Sequence, residues 1–177
     1  DGLENCRRII VQSPILLNSD LEKIRQINDP RYKTRTLKML FRKADGPEGL
    51  RAAVAQLSRQ AAHAVSEGVK FLIVSDRHVD PEWAPIPSLL AVSSIHHHLV
   101  RKSLRAEVGI IVESGEPRDV HHFACLIGYG AGSINPYLVF ETLTDMQVEG
   151  YLPEGFDPST AYIKYIKAVN KGLLKII

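Results

Sequence analysis

The stretch "ADGPEGLRAAVAQLSRQAAHAVSEGVKFLIVS", Ala44 to Ser75, joins a long amphipathic run to a short apolar one. Leu50, Val54, Leu57, Ala61 and Val65 recur at helical spacing and draw one apolar stripe. Asp45 stands at the cap position with Glu48 three residues on, an Asp variant of the capping-box spacing. Gly68 is placed to close the helix. The following "VKFLIVS", Val69 to Ser75, shows no alternation, which suits a strand buried on both faces. Helix then doubly buried strand is the unit of a parallel sheet covered by crossover helices.

The unit recurs downstream. "PSLLAVSSIHHHLVRKSL" predicts a helix with Pro87 in its first turn, and "AEVGIIVES", Ala106 to Ser114, a second buried strand. "GEPRDVHHFACLIGYGA" predicts a helix with acidic residues near its start and Gly128 and Gly130 at its end. "GSINPY" reads as a short fourth strand, and "LVFETLTDMQVEG" and "DPSTAYIKYIKAVNKGLLKII" as helices. Upstream, "TRTLKMLF", Thr34 to Phe41, reads as a strand rich in Thr and apolar residues. Residues 1–33 read as an irregular opening segment with one helix, "SDLEKIRQI", capped by Asn18 or Ser19 and bracketed by Pro14 and Pro30. Strict alternation of strand and helix predicts an α/β fold with a parallel sheet, one domain over 1–177, its core in 34–177.

Length and composition fit a single globular domain. Charged residues are 24% of the chain, and a formal charge of +2 gives no reason to expect nucleic acid or a membrane surface as partner. No secretory leader pattern opens the chain, and no apolar run reaches the ~18 residues of a membrane span. Cys6 and Cys125 stand far apart, and Cys125 in "FACLIG" reads as a buried small hydrophobe in a reducing, cytoplasmic compartment. The chain begins at Asp1 without Met and stops inside an amphipathic pattern, which reads as a piece of a longer polypeptide.

Five of the seven histidines fall in "IHHHL" and "VHHFA": His96, His97, His98, His121 and His122. Successive helical residues point about 100° apart, so the triple cannot converge on one ion from a regular helix. A zinc set would have to combine one of the three with His121 or His122 across helices. The commoner outcome is structural or interface histidines, with His96 flanking a sheet-facing stripe of Leu89, Val92, Leu99 and Val100, and with His97 and His98 turned outward. Substituting His97 or His98 by Ala is then expected to change stability by no more than ~0.5 kcal/mol.

Ligands of parallel α/β sheets bind outside the carboxyl ends of the strands. Two loops qualify: "SDRHVDPEWAPIP", carrying Asp76, Arg77, His78, Asp80, Glu82 and Trp83, and "ESGEPRD", starting at Glu113. Asp76 and Glu113 make a possible carboxylate pair, although carboxylates at loop ends are usually solvated. Gly128, Gly130 and Gly132 in "GYGAGS" follow a helix, whereas a dinucleotide loop follows a strand and opens a helix, so they read as turn residues. G-x-S-x-G, a Walker loop and a cysteine cluster are absent from the sequence.

Beyond these patterns, "PIPSLLAVSSIHHHLVRKSLRAEVGIIVESGEPRDVHHFACLIGYGAGSINPYLVFETL", Pro85 to Leu143, closely resembles the central region of the large chain in the glutamate synthase family. "FLIVSDRHVD", "ENCRRIIVQSPILLNSDLEKIRQI" and "AYIKYIKAVNKGLLKI" resemble that family too, in the same order. The resemblance implies a parent enzyme that makes glutamate from glutamine and 2-oxoglutarate, with an amidotransferase domain, an ammonia tunnel and a barrel domain holding FMN and an iron–sulfur cluster. It further implies that this chain is the α/β domain between them, a degenerate barrel with no cofactor of its own. No catalytic, cofactor-binding or metal-ligating residue is carried over, because none of the family's catalytic motifs matches a position here. Two alternatives stand beside it: a free-standing α/β module binding an anionic cofactor such as FMN around Asp76, Arg77 and Glu113, and the cross-helix zinc site.

Overall fold

A computed structural model describes residues 9–153 and 156–176. Cys6 and the start of the "ENCRRIIVQ" stretch lie outside them. In chain order the elements are α1 (Asn18–Arg25), β1 (Thr34–Lys38), β2 (Leu40–Arg42), α2 (Gly46–Ser66), β3 (Phe71–Ser75), β4 (Trp83–Pro85), α3 (Ser88–Arg101), β5 (Gly109–Glu113), α4 (Val120–Gly128), β6 (Ser133–Asn135), α5 (Tyr137–Val148) and α6 (Pro158–Leu173). Four strands pair in parallel in the order β1-β3-β5-β6, each reached from the last through a helical crossover. The alternation expected from the sequence is therefore the architecture observed.

The sheet has two unlike faces, because side chains alternate along a strand. Leu37, Leu72, Val74, Ile110, Val112 and Ile134 point to one face, where the main core forms with Leu57, Ala61 and Val65 of α2, Ala91, Val92, Ile95 and Leu99 of α3, and Phe123 and Leu126 of α4. Ile73 and Ile111 point to the other, where Leu16 and the α1 residues Leu21 and Ile24 cover them. Helix α1 thus lies across the face that a closed barrel would turn inward. The chain just before it also joins the sheet: Leu16 N donates to Ile134 O at 2.8 Å, and Ile134 N donates to Pro14 O at 2.7 Å.

Several local expectations give way to tertiary contacts. The run Thr34 to Phe41 is two strands, not one. Buried Met39 ends the pairing of β1 with β3 by donating to Ser75 O, then accepts from Ile86 N, so the chain turns to pair β2 with β4. Asn18 and Ser19 are not caps: α1 is preceded by Leu17, and the Asn18 Oδ1 accepts from Asn135 Nδ2 instead. Asp45 precedes α2 with helical backbone angles and makes no side-chain cap bond. Pro87 precedes α3 rather than lying in its first turn. Gly68, at φ +81°, does terminate α2. The buried stripe of α3 is Ser88, Ala91, Val92, Ile95 and Leu99, whereas Leu89 and Val100 face outward. Small residues fill the seam where α3 meets the sheet and α2; Ser58 and Ser94 hydrogen-bond across it at 2.8 Å.

Candidate functional site

Parallel β-strands deliver their carboxyl ends to one edge of the sheet, and the polar residues gather there. The in-register row Lys38, Ser75, Glu113 and Asn135 crosses that edge on the α1-covered face. Glu113 is 4% exposed and held by two guanidiniums: Arg25 Nη2 donates to it at 3.0 Å and Arg77 Nε at 3.0 Å. Arg25 also donates to Thr36 Oγ1 at 2.7 Å, spanning from β1 to β5 across β3. Arg77 reaches on to Glu141 at 3.0 Å and stacks over the Tyr137 ring at 4.0 Å. Burial alone would push the Glu113 carboxyl up, yet bonds from Ser75, Arg25 and Arg77 outweigh it and hold the group below the ordinary glutamate value.

Asp76, one residue beyond β3, has a different setting. It is 3% exposed and accepts from Ser114 Oγ at 2.5 Å and from Gly115 N at 3.2 Å. Burial raises its carboxyl above the usual aspartate value despite bonds from Ser114, Tyr137 and Gly115. Asp76 and Glu113 are therefore both buried rather than solvated, and each is engaged by its own partners. Glu116 completes the loop by accepting from Ser88 N at 2.8 Å and Ser88 Oγ at 2.6 Å, at the start of α3.

A cleft of about 520 Å³ opens over this row, lined by Arg25, Thr36, Lys38, Ser75, Arg77, His78 and Glu113 among others. The Lys38 ammonium and the His78 ring make no hydrogen bond or ion pair among the described residues. Asn135, fully buried, donates to Leu16 O and Asn18 Oδ1, while its Oδ1 has no partner among the described residues. Chemically the cleft offers charge and hydrogen bonds. Glu113, engaged by three donors that favour its ionised form, is poorly placed to accept a proton.

The histidines lie elsewhere. His96 Nδ1 accepts from Arg105 Nε at 3.0 Å, and Arg105 also donates to Val108 O and Gly130 O, both at 2.7 Å. This staple sits at the amino ends of the strands. Gly130, at φ +111°, lets the turn after α4 approach the His96 ring, where a Cβ would fall 2.3 Å from Nδ1. His97 is exposed and meets His96 edge-on, and His98 is half-buried rather than turned fully outward. His121 and His122 stand in the first turn of α4, about 13 Å of helix away from Gly130. His122 Nδ1 accepts from Arg118 N, and His121 Nε2 lies 3.6 Å from Cys125 Sγ. Cys125 is half-buried, not buried, because it shares the outer face of α4 with His121. The described residues contain no group of three His, Cys, Asp or Glu able to hold a metal ion, so the cross-helix zinc set is not assembled. Of the sequence candidates, Arg77, His78 and Glu113 meet at the cleft. Asp80 and Trp83 turn toward the neighbouring groove along β1 and α2. Arg25, Tyr137 and Glu141 come from distant segments and carried no sequence signal.

With this geometry, the chain is a parallel α/β domain of the barrel-like class, open rather than closed. Similar solved structures include a mutant flavocytochrome b2 with benzoylformate (TM-score 0.55, 13% identity, 88% of this chain and 33% of that one). A double mutant of the same protein with pyruvate bound gives TM-score 0.54 at 14% identity over 90% of this chain and 34% of that one. These likenesses concern the fold alone. The model of the glutamate synthase central domain matches residues 1–177, and the chain belongs to that family. The large chain of glutamate synthase (NADPH) from Bacillus subtilis is 42% identical over 98% of this chain. Glutamate synthase (NADH) from Schizosaccharomyces pombe is 35% identical over 97%, and the chloroplastic ferredoxin-dependent enzyme of Spinacia oleracea 37% identical over 99%. The chain spans 11%, 8% and 11% of those three relatives. Among the described residues no helix is long and apolar enough to cross a membrane.

Proposed function

We propose that this chain is a non-catalytic connecting domain of a glutamate synthase, a single unit over 1–177 inside a longer cytoplasmic polypeptide. It links the amidotransferase domain to the FMN-binding domain and keeps the ammonia route between them in register. The parent makes glutamate from glutamine and 2-oxoglutarate with FMN and an iron–sulfur cluster. Its reductant is a nicotinamide cofactor or a ferredoxin, as the relatives' names divide.

One observation carries the non-catalytic reading. At the strand ends, where the barrel-like class offers a place for chemistry, the loop amides and the carboxylates are engaged within the chain. A flavin phosphate needs backbone N–H groups and a helix start. Here Gly115 N donates to Asp76, Glu116 N donates to Ser114 Oγ, and Ser88 N, leading into α3, donates to Glu116. The chain's own carboxylates fill positions that a phosphate would take, so these residues do not fit FMN. Well-tied loops and a filled core suit a rigid spacer.

The open cleft is what favours the other reading, a free-standing module for an anionic cofactor such as FMN. Visible spectra separate them. The purified chain mixed with FMN and passed through gel filtration is expected to elute colourless. Stoichiometric co-elution of flavin absorbance would overturn the connector reading.

A further inference from the structure

Where the carboxyl-end network leaves capacity unused, it is cationic. Three positive side chains, Arg25, Lys38 and Arg77, line the cleft with two carboxylates, Glu22 and Glu113, while Glu141 engages Arg77 from outside the lining, so Lys38 is the cation with no ion pair among the described residues. Both carboxylates are engaged: Glu22 binds Arg25 Nε at 3.1 Å and Gln26 Nε2 at 2.7 Å, and Glu113 is clamped as described. Strand neighbours lie about 4.8 Å apart, so Lys38 and Glu113 flank Ser75 at one strand spacing on either side. The Arg25 guanidinium bridges Thr36 and Glu113 over the same strand, and Arg77 enters from its end. A position above Ser75 therefore faces Lys38 and two guanidiniums that Glu113 holds in place. Glu113 acts as the clamp that pre-orients them.

We propose that the cleft above Ser75 is a binding site for a small organic oxyanion, a carboxylate or a phosphate, anchored by Lys38 and by the outer edges of Arg25 and Arg77. The cleft volume, about 520 Å³, exceeds an inorganic anion and matches a compact metabolite. The site differs from a flavin-phosphate pocket, since it uses side-chain cations on the α1-covered face and leaves the loop amides of Gly115 and Ser88 untouched. It is independent of the connector role, because a connector with an occupied cleft remains non-catalytic.

Calorimetric titration of the 177-residue chain at low ionic strength tests this with two probes, succinate for a dicarboxylate and inorganic phosphate for the phosphate group. Saturable binding of at least one, with Kd near or below about 1 mM, is expected. Lys38→Gln leaves the exposed edge of β1 and the core untouched and is expected to weaken binding at least tenfold. Lys102→Gln, beyond the far end of α3, is expected to change it by less than about twofold. The probe that binds identifies the chemistry. Absence of saturable binding to both up to about 20 mM overturns the proposal. Equal losses in Lys38→Gln and Lys102→Gln overturn it too, since they mean diffuse attraction to a basic chain. The flavin experiment reads blue absorbance and so fails or succeeds separately.

Discussion

Gly130→Ala probes the staple at the amino ends of the strands. Gly130 sits at φ +111°, outside the region that side chains adopt, and an added Cβ would lie 2.3 Å from His96 Nδ1 and 2.8 Å from its Cγ. Backbone strain of this kind costs about 1–3 kcal/mol. The His96 ring must also withdraw, releasing a charge-assisted bond from Arg105 worth about 1.5–3 kcal/mol. His96 is half-buried, so water recovers part of that loss, and the sum comes to about 3–4 kcal/mol. Against a typical total of ~5–15 kcal/mol this is large; for a domain this size it lowers Tm by roughly 8–15 °C. Urea unfolding of Gly130→Ala, His96→Ala and the double variant reads it. Removing the ring relieves the clash but not the strain, so the double variant should lose less than the sum of the singles by more than about 1 kcal/mol. Additivity within about 0.5 kcal/mol, or a single-variant loss below about 1 kcal/mol, would refute the reasoning.

Three further outcomes follow from the same structure. His97→Ala, at an exposed ring, should leave stability within ~0.5 kcal/mol in the same unfolding experiment. Val74→Asp places an unpaired charge at a fully buried position of a central strand, and circular dichroism should show no cooperative unfolding. His96 is held below the usual histidine pKa by burial and by Arg105 and His97, so between its folded value and about 6.5 the unfolded chain binds more protons. Stability should therefore fall as pH drops through that window. His96→Ala should flatten this limb of a pH-dependent melting series, and an unchanged slope would assign it to other groups.

Much of the fold was legible because its signals are local. The stripe of α2, the apolar runs of β3 and β5 and the glycine stop at Gly68 each depend on neighbours in sequence. Their alternation fixes the parallel sheet. What was hidden depends on partners far along the chain. No pattern within Thr34 to Phe41 says that Met39 exchanges β3 for β4, since that needs Ser75 and Ile86. Asn18 looks like a cap until Asn135 arrives from 117 positions away. Ranking α3 by hydrophobicity favoured Leu89 and Val100, but the seam is close-packed and takes Ser88 and Ala91. The candidate site divides the same way. Arg77 and Glu113 were visible as strand-end residues, whereas Arg25 enters from α1 only because that helix covers the inner face of the sheet. The resemblance in sequence and the family match supply the biological setting; the ion-pair geometry supplies the chemistry of the cleft.

The central proposal, that this domain connects and does not catalyse within a glutamate synthase, is tested most directly by Glu113→Gln in the full-length protein. Glu113 is one of two buried carboxylates at the strand ends, where the fold class would put a catalytic group, and the one that lines the cleft. In protein whose circular dichroism and melting confirm that it is folded, turnover of glutamine hydrolysis and of ammonia-dependent glutamate formation should each stay within about threefold of the unaltered protein. Gln keeps the side-chain volume and no reacting atom is involved, although the charge that pairs Arg25 and Arg77 is lost. A loss of about a hundredfold or more in either reaction, the scale expected for removing a general acid or base, would contradict the account and place Glu113 in the chemistry.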